Sequence, residues 1–262
     1  MNILEKIIAR KKEELRVRKK QRPLAMLQQK QLYARQNSSL VASLNDPSKT
    51  GIIAEFKRKS PSKGIIHPSA RVADVTKAYA INQASGISVL TDSDFFGGDL
   101  ADLEQAAATV TVPLLRKDFM IDTYQLHEAK AHGASVILLI AACLQKEQVA
   151  ELAETAHTLG LEVLLEIHDE TELAHICQAV DMVGVNNRNL KTFEVDIATS
   201  IRLAGQIPAD KTRIAESGIN NIAAIVTLRE AGFKGFLIGE HFMKQPDPSI
   251  AFADFVNQLK AS

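Results

Sequence analysis

From residue 51 onward the chain repeats one pattern eight times: a short apolar run of strand length, then a longer stretch whose apolar residues recur at helical spacing. Strand candidates lie near 51–57, 87–91, 112–116, 135–140, 161–166, 182–186, 212–215 and 235–238. Helix candidates lie near 71–83, 99–108, 122–131, 145–158, 170–179, 195–204, 220–230 and 248–260. Parallel strands need a crossover of about a dozen residues between them, so the alternation demands a mostly parallel sheet covered by helices. An open sheet would keep two edges. None of these runs carries the charges or prolines that guard an edge, and Pro113 sits at a strand start, where its missing N–H is tolerated. The expected architecture is therefore α/β, a closed (β/α)₈ barrel over residues 51–262, and a chain of 262 residues suffices to bury such a core.

Residues 1–50 stand outside the alternation and read as an N-terminal helical extension packed on the barrel. Ile3, Leu4, Ile7, Ile8 and Leu15 predict an amphipathic helix from Asn2 to about Lys20, ended by Pro23. Its other face carries Arg10, Lys11, Lys12, Arg16, Arg18, Lys19, Lys20 and Arg22, interrupted by Glu5, Glu13 and Glu14. A solvated face fits this run better than a nucleic-acid or membrane surface, because 31 basic residues are balanced by 31 acidic ones. Residues 24–44 read as short helices and irregular chain. Cys143 and Cys177 lack metal-ligand spacing and are expected as reduced thiols in a cytoplasmic protein. No signal-like segment and no long apolar run is present, so neither secretion nor membrane insertion is expected.

In a barrel of this kind the chemistry gathers at the C-terminal strand ends. These hold, in order, Glu55 and Lys57; Thr91 and Asp92; Arg116, Lys117 and Asp118; Glu166 and His168; Asn186 and Arg188; Glu216 and Ser217; Gly239 and Glu240. With period two, Glu55 and Lys57 share the face of Ile53, Lys117 that of Leu115, Glu166 that of Leu164, Asn186 that of Gly184 and Ser217 that of Ala215. Glu55, Lys57, Lys117, Glu166, Asn186 and Ser217 are thus expected to top the inward-facing layers. A mouth lined by carboxylates and ammoniums suits proton transfer, since each charge moves the pKa of its neighbours. The alternative is ion pairing that merely closes the barrel top.

The stretches RIAESGIN and GFLIGEH each place a glycine directly after a strand, in the two loops that commonly cradle phosphate in this architecture. Lys57, Ser60 and Ser62 would add charge and hydroxyls from the first loop, GIIAEFKRKSPSKG; otherwise Gly218 and Gly239 serve only tight turns. No HxH or HExxH is present, and His168 followed by Asp169 and Glu170 reads as a helix entrance, so no metal and no organic cofactor is expected.

The motifs IIAEFKRKSPSKG, LLRKDF, LLEIHDE, VGVNNRNL, IAESGI and FLIGE, in this order, resemble the indole-3-glycerol phosphate synthase family of tryptophan biosynthesis. The resemblance implies a barrel enzyme that closes the indole ring of 1-(2-carboxyphenylamino)-1-deoxyribulose 5-phosphate with release of carbon dioxide and water. It implies that Lys117 is the general acid of ring closure and Glu166 the general base of the later steps. Lys57 would contact substrate and take part in the dehydration, Glu55 would hold the lysine pair, and Asn186 would stand beside the reacting ring. Arg188 falls near the substrate carboxylate and Phe119 in the aromatic pocket. Ser60, Pro61, Ser62, Ser217, Gly218, Gly239 and Glu240 fall in the loop and phosphate regions, where the bulky His241 after Glu240 departs from the usual pattern. A small phosphorylated molecule is the expected partner, and a monomer is expected rather than a homodimer. Two rivals stay open: another phosphate-binding barrel of the same pathway, such as phosphoribosylanthranilate isomerase or the tryptophan synthase α subunit, and a noncatalytic phospho-metabolite or nucleic-acid binding module.

Overall fold

The computed structural model describes residues 3–189 and 194–262; Asn2, where the sequence starts its first helix, and Leu190 lie outside them. Eight strands, β1 (Ile52–Phe56), β2 (Gly86–Leu90), β3 (Leu114–Lys117), β4 (Val136–Ile140), β5 (Glu162–Ile167), β6 (Met182–Asn186), β7 (Thr212–Glu216) and β8 (Gly235–Ile238), pair in parallel in chain order. The last closes on the first, with Ile52 opposite Phe236, so the barrel has no edge to protect.

Alternation sorts the side chains. Ile53, Leu115, Leu138, Leu164, Met182, Ile214 and Leu237 form the interior cluster. Ile52, Ala54, Phe56, Val89, Leu165 and Ala215 face outward into the layer shared with the helices. The lower end of the interior is plugged from outside the repeat: Leu40 and Leu44, on the short helix Leu40–Asn45, belong to the interior cluster. Glu162, at the start of β5, holds that helix by accepting from the backbone N–H of Leu40 at 2.7 Å and of Val41 at 3.2 Å. These bonds satisfy two of the donors that a helix start leaves open.

The outer helices begin where short polar side chains can cap them. Asp99, Asp122, Asn221 and Asp247 each accept a backbone N–H from the first turn that follows. Two elements differ from the sequence reading. In place of a helix over 170–179 there is a 3₁₀ turn, Glu170–His175. Glu172 folds back onto the end of β5, accepting from the His168 backbone N–H at 2.7 Å, and this tightens the turn and ends it early. The helix expected from 195 starts at Ala198, because Val195 instead bridges to Arg188 and Asp196 accepts from the Ala198 N–H at 2.9 Å.

Before the barrel, helix α1 (Ile3–Gln21) is followed by a short α-helix, Leu24–Gln28, and a 3₁₀ turn, Gln31–Ala34. Leu15 and Leu27 pack with Tyr124 and Ala131 in a separate apolar cluster, while Arg18 pairs with Glu128 on the helix Thr123–Ala131 and Lys19 with Asp122, which caps it. One residue of the expected solvated face is not solvated: Lys11 is buried, with 1% of its surface exposed. Among the described residues, no helix is long and apolar enough to cross a membrane.

Candidate active site

At the C-terminal mouth of the barrel lies a cavity of about 620 Å³. It is bordered by Glu55, Lys57, Ser60, Pro61 and Ser62 after β1, Lys117 and Phe119 after β3, Glu166 at the end of β5, Asn186 and Arg188 after β6, Ser217 and Gly218 after β7, and Gly239 and Glu240 after β8. Arg116 is not part of it. That side chain faces away from the interior and is fully buried against Asp118 and Glu128 at 2.9 and 2.8 Å.

Lys117 stands at the centre. Its Nζ donates to Glu166 Oε2 at 2.9 Å and to Glu216 Oε2 at 2.7 Å. Beside this group, Lys57 Nζ donates to Glu55 Oε1 at 2.5 Å. The other oxygen of Glu166 accepts from Asn186 Nδ2 at 3.0 Å and lies 3.3 Å from His168 Nε2, whose Nδ1 is 3.2 Å from Glu172. From Glu172 through His168, Glu166 and Lys117 to Glu216, acidic and basic side chains alternate in one chain across the mouth. Glu55 holds Lys57, whereas Lys117 is held by Glu166 and Glu216.

Glu216 corrects the sequence reading of β7. Extrapolating parity from Ala215 put Ser217 on the inner face. In the structure Ala215 points out, Ile214 and Glu216 point in, and Ser217 has left the strand with φ +66°, where period two no longer applies. Ser217 reaches the cavity as a loop residue instead. Ile214 and Ala215 are both apolar, so the sequence offers no contrast by which to choose the face.

Two glycines make room for the carboxylates. A Cβ at Gly184 would come within 2.3 Å of Glu216 Oε1, and one at Gly239 within 2.4 Å of Glu55 Oε1. Gly239 has a negative φ and therefore serves a close approach rather than a left-handed turn, while Gly218, at φ +77°, is the turn residue. The Glu240 side chain leans toward Arg188 and Lys63, at 3.6 and 3.8 Å.

The ionisation states follow from these contacts. Burial acts against the charge on Lys117, but Glu166, Glu216 and Glu55 outweigh it and hold the ammonium's pKa above its ordinary value. Burial likewise opposes ionisation of Glu166, yet Lys117 and His168 hold it well below the usual carboxylate range. For Glu216 burial wins: Lys117 only partly offsets it, Glu166 and Glu55 add repulsion, Oε1 has no donor, and the pKa is pushed up to about 7. His168 resists desolvation through Glu166 and Glu172 and is raised to about 10. The Lys117 ammonium, the Glu166 carboxylate, the His168 imidazolium and a Glu216 carboxyl poised near neutrality thus share the mouth. Such divergent acidities suit a site that must both give and take protons. Among the described residues, no three His, Cys, Asp or Glu side chains gather as a metal-ligand set.

Comparison with known proteins points the same way. The family described as indole-3-glycerol phosphate synthase matches residues 4–255. An indole-3-glycerol phosphate synthase of Bacteroides thetaiotaomicron is 48% identical over 259 residues, covering 99% of each chain. Another, from a Polaromonas species, is 43% identical over 256 residues, covering 96% of this chain and 97% of its own. Among solved structures, a mutant tryptophan synthase α-subunit of Pyrococcus furiosus superposes with a TM-score of 0.61 at 14% identity, over 82% of this chain and 99% of its own. That likeness concerns the barrel fold alone.

Proposed function

The chain belongs to the indole-3-glycerol phosphate synthase family, a lyase of tryptophan biosynthesis, and from that premise we propose how its mouth divides the reaction among named side chains. The substrate is 1-(2-carboxyphenylamino)-1-deoxyribulose 5-phosphate. Its ring carbon ortho to the amine, which carries the carboxylate, attacks the C2 ketone. A carbon–carbon bond forms, and the ketone oxygen takes a proton from Lys117. Carbon dioxide leaves without its bonding electron pair, which restores the aromatic ring. The C2 hydroxyl then departs as water with a proton from Lys57, and Glu166 removes the last proton to complete the indole.

The observation that carries this reading is the Lys117 ammonium held between two buried carboxylates in a cavity of substrate size. In the resting site Glu166 is a weak base, because Lys117 and His168 stabilise its charge. Once Lys117 has given its proton to the ketone oxygen, that stabilisation drops and the carboxylate becomes more basic. The acid step thereby prepares the base step. Asn186 Nδ2, donating to Glu166 Oε1, fixes the carboxylate's direction. Ser217, Gly218, Gly239 and the first loop's Ser60, Pro61 and Ser62 serve the phosphate end, Arg188 the substrate carboxylate and Phe119 the ring. Holding both ends of a flexible substrate brings the attacking carbon onto the ketone.

The test is formation of indoleglycerol phosphate from this substrate by the wild type beside Lys117→Ala. Turnover by the wild type and a loss of about 100-fold or more in kcat for the variant, with substrate binding retained, is the expected result. No turnover by the wild type overturns the reaction, and near-normal turnover by the variant overturns the acid role.

A further inference from the structure

Helix α1 reaches the site in two ways. Its first turns contribute Ile3, Leu4 and Ile7 to the cavity border. One turn on, the buried ammonium of Lys11 lies 2.9 Å from Asp92 Oδ2, 2.9 Å from Asp118 Oδ1 and 2.8 Å from Glu14 on its own helix. These contacts are ion pairs rather than aligned hydrogen bonds.

The two aspartates each restrain a loop that carries an aromatic ring. Asp92 Oδ1 accepts from the Phe95 N–H at 2.9 Å and so fixes the turn Ser93–Phe96 after β2. Asp118 Oδ1 accepts from the Phe119 N–H at 2.8 Å after β3. Phe96 and Phe119 pack with ring centroids 6.0 Å apart and both border the cavity. Asp118 has further partners in Arg116 and Thr91, at 2.9 and 2.7 Å, so neutralising its charge does not require a lysine from the extension. What Lys11 adds is a bridge from Asp118 to Asp92. A buried ion pair of this kind adds little stability over apolar residues of similar volume, and a role in fixing geometry accounts better for it.

We propose that Lys11 is a positioning residue: by drawing Asp92 and Asp118 together it locks the loops after β2 and β3 so that Phe96 and Phe119 form a fixed wall for the aromatic ring of the substrate. The proposal rests on the ring-closing activity above, and wild-type turnover tests that activity separately. It acts on binding more than on chemistry, because Lys117 keeps both of its carboxylates when Lys11 is lost.

The experiment compares kcat, KM and Tm of the full-length wild type, Lys11→Met, Phe119→Ala and the double variant. Lys11→Met is expected to raise KM about tenfold while kcat stays within about threefold. In the Phe119→Ala background the same change is expected to raise KM less than about twofold, since the wall it supports is already gone. Unchanged KM with a lowered Tm, or full additivity with Phe119→Ala, overturns the proposal and leaves Lys11 a purely structural residue. Should Lys11→Met not fold, Lys11→Met/Asp92→Asn removes one buried carboxylate along with the ammonium, keeps an oxygen to cap Phe95, and carries the same expectation. Failure of both to fold also counts against the proposal, because the network would then hold the fold rather than the wall.

Discussion

Replacing Glu216 by glutamine tests whether that carboxyl keeps a proton in the folded protein. Burial raises its pKa from 4.5 to about 7, with Lys117 only partly compensating. Below pH 4.5 the group is protonated whether the chain is folded or not, and it makes no difference to stability. Between 4.5 and 7 the unfolded chain releases the proton while the folded chain keeps it. The folded state then binds more protons, so rising pH disfavours it. Above 7 both states are ionised and the loss levels off. A displacement from 4.5 to about 7 corresponds to roughly 3 kcal/mol, an upper bound because Glu166 shares the same ammonium. A glutamine amide in its place cannot titrate. Glu216→Gln should therefore gain on the wild type by as much as roughly 3 kcal/mol between pH 4.5 and pH 7.5, or about 6 °C in the difference between their Tm values. Thermal unfolding of both proteins at several pH values measures it. Parallel Tm curves, or a wild type that gains on the variant as pH rises, would refute the reasoning.

Gly184→Ala should lower turnover about tenfold or more with little change in Tm: its Cβ would fall 2.3 Å from Glu216 Oε1, which can yield only by breaking the contact with Lys117, and steady-state kinetics beside a melting curve checks this. His168→Gln should destabilise most at low pH. The wild-type imidazolium is raised from 6.5 to about 10 by Glu166 and Glu172 against the pull of burial, so its stabilisation is complete below pH 6.5 and disappears as pH rises through about 10. The Tm difference between wild type and variant at pH 6 and pH 10 reads this directly, and an equal difference at the two values rejects it.

The barrel was legible because its information is local and repeated. Eight apolar runs, each followed by a helix-period stretch, leave few other ways to bury both faces of a parallel sheet. The helix expected over 170–179 failed where a distant contact won over periodicity: Glu172, a good helix former, is taken up by the end of β5. Lys11 was misread for a similar reason. On α1 it is one cation in a basic run, and only the fold reveals Asp92 and Asp118 opposite it.

The site was legible wherever strand parity had contrast. In β1, β3 and β5 an apolar inner residue two positions earlier points directly to Glu55, Lys117 and Glu166. In β7 the adjacent Ile214 and Ala215 gave none, and the inner face was assigned one residue late. That single step matters because it removes the second carboxylate from Lys117 and with it the contrast between Glu166 and Glu216. Nor does parity explain Gly184. A glycine at the inner face of β6 reads as a weak strand position until Glu216, on the neighbouring strand, is seen to fill the space a side chain would occupy. Glycine and carboxylate lie on different strands and must change together. Gly184→Ala is therefore expected to be better tolerated when Glu216 is shortened to aspartate than alone, a dependence that reading either strand in isolation would not disclose.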